Sequence, residues 1–209
     1  MGTWERRAPL TAIIAVVLIA VAFAIGGETP DVDASPDETL SYYADHEGAQ
    51  FAGAILLFYA SVLLVFFSGL LRNRLRAPGA ATDALATTAM VGGVLQALGI
   101  AIFGGLTLTL ADASDNLDPV AAQALNALNS DLFFPLALGT AVLLLASGIA
   151  ILRGAGAGLP RWLGWAGVVL GIVACTPAGF FAFLASGIWL VITAIMLMRG
   201  PRAEAAPAA

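Results

Sequence analysis

Residues 161–199 read RWLGWAGVVLGIVACTPAGFFAFLASGIWLVITAIMLMR, and how often this stretch crosses a membrane decides the fold. Trp162 to Met198 is 37 residues without a charge, flanked by Arg161 and Arg199. One helix of that length would run ~55 Å, against a hydrocarbon core of ~30 Å. A single crossing would also strand one Arg on the outer side. Two crossings return both to the same side, and Cys175-Thr176-Pro177-Ala178-Gly179 has the composition of a tight turn. The sequence therefore predicts helices near 162–176 and 179–198.

Working outward, four more apolar runs lie at about 10–27, 51–71, 84–110 and 132–152. Six crossings place all nine Arg residues on one face: Arg6, Arg7, Arg72, Arg74, Arg76, Arg153, Arg161, Arg199 and Arg202. Basic residues in short loops are held in the cytoplasm during insertion, so both termini are expected there, in a cell-membrane protein. Eleven of the fourteen acids fall on the opposite side, and only Glu5, Asp83 and Glu204 share the Arg face. The inner face carries +6 and the outer −11, which accounts for the net charge of −5.

Composition agrees. The 209 residues are 60% hydrophobic and 11% charged, with mean hydropathy +0.92. A water-soluble domain carries about a quarter charged residues, so most of this surface is expected to face lipid. Nucleic acid is excluded as a partner, because the only basic face lies against anionic lipid. The lone Cys175 excludes an intrachain disulfide or a multi-cysteine metal site. Abundant Ala and Gly, with Arg in place of Lys throughout, fits a bacterial chain of high genomic GC. The expectation is an all-α polytopic helical bundle, one transmembrane domain over 1–202, with a disordered Ala/Pro-rich tail at 203–209. The first run also resembles a signal peptide, with Arg6-Arg7 before it and Ala22-Phe23-Ala24 as a cleavage-like site. Its length favours an uncleaved anchor.

The outer loops carry helix starts. In Ser35-Pro36-Asp37-Glu38, Ser is an N-cap, Pro suits the first helical position and Glu completes a capping box. This predicts a surface helix over 36–47, with Leu40, Tyr43 and Ala44 on one face. Asp118-Pro119 is a second start of the same kind. There Leu125 and Leu128 form the apolar face, and Gln123, Asn126 and Asn129 point to water.

Two rows of small residues at i, i+4 predict tight helix packing: Ala89, Gly93, Ala97, Ala101 and Gly105 in the third span, and Gly167, Gly171, Cys175 and Gly179 in the fifth. Packing within the chain is favoured over a homo-oligomer seam. Cys175 reads as a small packing residue rather than a catalytic thiol.

No Asp, Glu, Lys, Arg or His lies within a predicted span. This argues against ion-coupled transport through a midplane carboxylate. Gln96 is the lone strongly polar residue at depth, read as an interhelical hydrogen bond or, alternatively, as a substrate contact. His46, with Asp45, Glu47 and, on the same side, Asp131, is a weak candidate for a cation or pH sensor. Successive helical residues point apart, so a solvated acidic face is the plainer reading. No nucleophile elbow, P-loop, HExxH or dinucleotide fingerprint occurs, so no cofactor and no enzyme activity is expected.

SPDETLSYYADHEGAQF (35–51), RNRLR (72–76) and PRWLGWAGVVLGI (160–172) resemble stretches of a broad group of bacterial multi-span membrane proteins of unknown function. The resemblance implies about six spans and no catalytic or binding residue. The functional expectation is a non-enzymatic accessory or partner-binding membrane subunit. The alternatives are a permease or channel with a polar path at Gln96, or an outer sensor at His46.

Overall fold

A computed structural model describes residues 7–76, 80–112, 114, 116–131, 133–156 and 158–199. Expectations resting on Glu5, Arg6, Asp115, Leu132, Arg202, Glu204 and the tail 203–209 fall outside these residues. The described chain is all-α. Its helices are α1 (Leu10–Gly26), α2 (Pro36–Asp45), α3 (Glu47–Leu75), α4 (Ala80–Asp112), α5 (Pro119–Asp131), α6 (Phe133–Leu152), α7 (Arg161–Ala174) and α8 (Gly179–Arg199).

Among the described residues, four helical segments are long and apolar enough to cross a membrane: Glu47–Leu75, Thr82–Asp112, Pro119–Leu152 and Gly179–Arg199. The sequence pattern predicts six. α1 has 17 residues and α7 has 14, and both are apolar but short. The local cause is clear in each. α1 stops where Gly27 turns to φ 67°, a conformation that side chains resist. α7 begins after Pro160 and ends at the Cys175–Gly179 turn, where the Thr176 hydroxyl bonds the Val173 carbonyl at 2.7 Å and accepts the Ala178 amide at 3.2 Å.

The six longer helices form a ring in chain order. α1 packs on α3, α3 on α4, α4 on α6, α6 on α7 and α7 on α8, and α8 returns to α1. Successive neighbours in the row α1–α3–α4–α6–α7 run antiparallel: Gly53 approaches Ala22, Gly104 approaches Leu57, Gly99 approaches Leu136, and Gly164 approaches Gly148. Large apolar side chains cover the outside, with Phe134 at 78% and Phe181 at 71% exposure. Such a surface suits lipid and would be costly in water.

Close contact between α4 and α6 organises the ring. A Cβ on Gly92 would strike the Leu143 backbone, and one on Gly139 would strike the Gln96 backbone. Each helix thus offers a glycine to the other's main chain, where dispersion and weak Cα–H···O contacts replace the absent hydrophobic drive. Gly148 and Gly164 repeat this between α6 and α7, where a Cβ on Gly148 would lie 2.6 Å from the Gly164 carbonyl oxygen.

The predicted packing rows divide. Ala89 and Ala97 are buried, and Gly93 lies against Ser68 of α3. Ala101 is only partly buried, and Gly105 is exposed with nothing within 4 Å of a would-be Cβ. An i, i+4 row slips about 40° per step at 3.6 residues per turn, so it leaves the interface after a few turns. Gly167 and Gly171 do pack on α6, against the Leu144 carbonyl and the Leu145 side chain, whereas Cys175 is exposed.

The α4–α6 contact gives a sharp expectation. Gly139→Val should lower thermal stability in detergent by several kcal/mol or abolish folding, because backbone cannot retreat as a side chain can. Gly105→Ala should be neutral or stabilise by up to about 1 kcal/mol. Equal melting temperatures for the two variants would refute this account of the crossing.

Candidate functional site: a polar cap above an apolar cleft

The two acidic loops, between α1 and α2 and between α4 and α5, meet at one end of the ring. Ser35 caps α2, accepting the Glu38 amide at 3.3 Å, and Asp118 caps α5 by accepting the Val120 and Ala121 amides at 2.9 and 3.3 Å. α2 and α5 then pack on each other. Their shared face joins an apolar cluster, in which Tyr43 and Ala122 are buried with Leu40 and Leu125 packed against them, to a set of polar clasps. The Tyr43 hydroxyl donates to Asn126 Oδ1 at 2.8 Å, and Asn126 Nδ2 donates to the Pro30 carbonyl at 3.0 Å. Gln123 Nε2 donates to the Ala34 carbonyl at 2.7 Å.

The expected orientation of α5 holds for Leu125, which packs in that cluster, and fails for the rest of its predicted faces. Asn126 and Asn129 are buried, while Leu128 is 50% exposed. On α2, Thr39 and Tyr43 are buried and Ala44 is exposed. Hydrophobic patterning misses the buried amides because their partners are the part-buried loop carbonyls of Pro30 and Ala34, which the fold shields from water. The amides at 123, 126 and 129 recur every three residues, the one signal that could have marked this face.

The cap also seals the end of α1. The Gly26 carbonyl accepts from the Tyr42 hydroxyl at 2.8 Å and from Gln50 Nε2 at 2.8 Å. His46 serves this junction. Its ring stacks on Tyr42 with centroids 4.4 Å apart, and its Nδ1 lies 2.9 Å from the Tyr42 carbonyl oxygen. Among the described residues no three His, Cys, Asp or Glu side chains gather as metal ligands, so His46, Asp45 and Asp131 are not brought together.

Beneath the cap the helices are incompletely packed, leaving a cleft that opens to the outside of the ring past the exposed Phe23 and Phe180. One cavity of about 390 Å³ is lined by Phe23, Leu57, Phe103, Asn129 and Phe133, among others. A second, of about 350 Å³, lies beside Val16, Leu64, Gln96, Ser186 and Gly187. Phe23, Phe180 and Phe183 belong to both, so the two adjoin. Each volume falls in the range of small-molecule pockets, roughly 300–1,000 Å³.

Two buried carboxamides stand on this cleft. Gln96, 2% exposed, donates from Nε2 to Ser186 Oγ at 3.4 Å. The single Ser186 proton goes to the Phe183 carbonyl at 2.6 Å, so Ser186 can only accept from Gln96. Asn129, 3% exposed, donates from Nδ2 to Thr107 Oγ1 at 3.2 Å, and the Thr107 proton is held by the Phe103 carbonyl at 3.0 Å. These bonds fix which way each amide points. Gln96 Oε1 and Asn129 Oδ1 are left buried without a donor. Thr39 Oγ1 and Ser147 Oγ also lack partners, but neither lines the cleft. The sequence pattern singles out Gln96 but turns Asn129 the wrong way.

At the other end of the ring, Asp83 lies 2.6 Å from Arg76 Nε and 3.8 Å from Arg72, whose Nε donates to Thr87 Oγ1 at 3.2 Å. Cys175 is exposed, its thiol 3.5 Å from the Gly171 carbonyl. No family model, curated protein or solved structure matches this chain. The likeness to bacterial multi-span proteins therefore rests on the quoted stretches alone.

The cap carries a pH dependence. Burial pushes the Tyr43 hydroxyl up to about 12, with Tyr42 adding a smaller repulsion. Its stabilisation is complete below the unfolded value of about 10 and is lost as pH rises through the folded value. Cap unfolding above about pH 10 should accompany ultraviolet phenolate formation. Tyr43→Phe should remove that phenolate signal and cost about 1–3 kcal/mol, since Asn126 Oδ1 loses its donor. A melting temperature unchanged in Tyr43→Phe would count against the clasp.

Proposed function

We propose that this chain is a six-crossing integral membrane protein, with both termini cytoplasmic, that acts by binding a small apolar molecule in its capped cleft and carries out no chemistry itself. The observation that supports binding is the pair of adjoining cavities lined by Phe23, Phe180 and Phe183 beneath a hydrogen-bonded lid. Six crossings are supported by the lengthwise packing of the short helices: α1 lies along α3, and α7 along α6. A helix of 14 residues spans by local bilayer thinning and interfacial anchoring, for which the exposed Trp162 and Trp165 at the start of α7 are suited. The Arg distribution puts the cap outside, where its acidic surface is free to meet a membrane-protein partner.

A second reading, a permease, uses the same cleft. It is favoured by the one observation that a buried amide, Gln96, lines the deeper cavity. Loss of flux in a folded Gln96→Leu variant would support it.

Two measurements test the main reading. In a Cys175→Ser background, cysteines at Ser41 and at Asn73 should label from opposite sides of sealed vesicles; labelling of both from outside would overturn the topology. Native mass spectrometry of the wild type should find a retained apolar molecule. Gly187→Phe, which fills the deeper cavity, should reduce its occupancy about ten-fold, equivalent to about 1.4 kcal/mol. Undiminished occupancy would place the molecule elsewhere.

A further inference from the structure

The bound molecule is constrained further by the two orphaned oxygens, an inference that rests on the cleft reading above. Gln96 bonds Ser186, and Asn129 bonds Thr107, so the heights of the two amides can be compared along α4. Residues 96 and 107 are eleven apart on that helix, which is about 16 Å at 1.5 Å per residue. One amide stands near the middle of α4 and the other at the cap end. Between them the cleft wall is apolar: Phe23, Leu57, Ile100, Phe103, Phe180 and Phe183.

Each oxygen is an acceptor whose own NH₂ group is engaged by a hydroxyl that has no proton to return. A buried acceptor without a donor is destabilising, so a molecule that brings a donor relieves that cost. Both oxygens are covered by the cleft wall, and a small swing of the broad terminal amide torsion, with the Nε2 and Nδ2 bonds kept, brings each to a donor in the cavity its residue lines. A purely apolar occupant, such as a lipid acyl chain, fills the volume and leaves both oxygens unpaired.

We propose that the cleft selects an elongated apolar molecule carrying a hydrogen-bond donor, a hydroxyl or amine, at each end, with about 16 Å of hydrocarbon between them. One donor meets Asn129 beneath the cap and the other meets Gln96 at depth. Entry from the outer half of the bilayer follows from the cleft's position between Gln96 and the cap.

The test uses the full chain in lipid nanodiscs. A dodecanol bearing a mid-chain diazirine is the photoprobe, mapped by mass spectrometry. Dodecanediol, dodecanol and dodecane are unlabelled competitors of equal chain length. Crosslinks are expected on Phe23, Phe103 or Phe183. The diol should compete about five-fold better than the alcohol, and the alcohol about five-fold better than the alkane, one hydrogen bond of about 1 kcal/mol at each step. Gln96→Leu and, separately, Asn129→Leu should erase the advantage of diol over alcohol. Either variant suffices if the other fails to fold, and the wild-type ranking is decisive without them. Equal competition by all three overturns the donor requirement while leaving an apolar cleft site. A ranking that survives in both leucine variants overturns it too. Absence of any crosslink within the cleft overturns the binding reading itself.

Discussion

Main chain touches main chain where α4 crosses α6, and the remainder of the ring is arranged around that contact. Gly92 receives the Leu143 backbone and Gly139 receives the Gln96 backbone, so the two helices lie closer than side chains would permit. In a lipid-like setting there is no water to drive helices together, and association depends on such packing. Gly148 and Gly164 extend the contact to α7. The strip α3–α4–α6–α7 is therefore tight. α8 also packs on α7 and α1 but, among the described residues, has no comparable glycine crossing with α4; the two adjoining Phe-lined pockets lie on that side, and a further pocket of about 510 Å³ lies beside α6 and the end of α7, near Phe134 and Cys175.

The cap solves a different problem. The loop between α1 and α2 presents carbonyls at Gly26, Pro30 and Ala34, and each is met by a side-chain donor: Tyr42 and Gln50, Asn126, and Gln123 respectively. Tyr43 locks Asn126 from the other side. Two loops distant in sequence thus become one lid, as the 83-residue separation of Tyr43 and Asn126 records. Desolvation of Tyr43 follows directly from this closure and holds its hydroxyl protonated well beyond the usual range.

Lid and strip together make the cleft. The same α4 that is pinned to α6 carries Gln96 and Thr107, and the same α5 that is pinned to α2 carries Asn129. Polar groups are dear in a low-dielectric interior, so two amide oxygens kept without donors mark the place where a ligand's donors would count most.

Sequence alone was enough for the all-α class and for the apolar character of its helices, because charge exclusion and hydropathy act on each segment independently of its neighbours. The turn at 175–179 and the helix starts at Ser35 and Asp118 were legible for the same reason: capping is local chemistry. Gly93, Gly167 and Gly171 were also visible as small residues on a helix face. What only the tertiary structure decided depended on pairs of distant segments. It showed that Gly105 drifts off the interface, that Gly92 and Gly139 form the closest crossing, and that α1 and α7 are short. It also turned Asn126 and Asn129 inwards. A polar helix face reads as solvent-facing until the loop carbonyls that need its donors are known, and those carbonyls are placed only when the chain has folded.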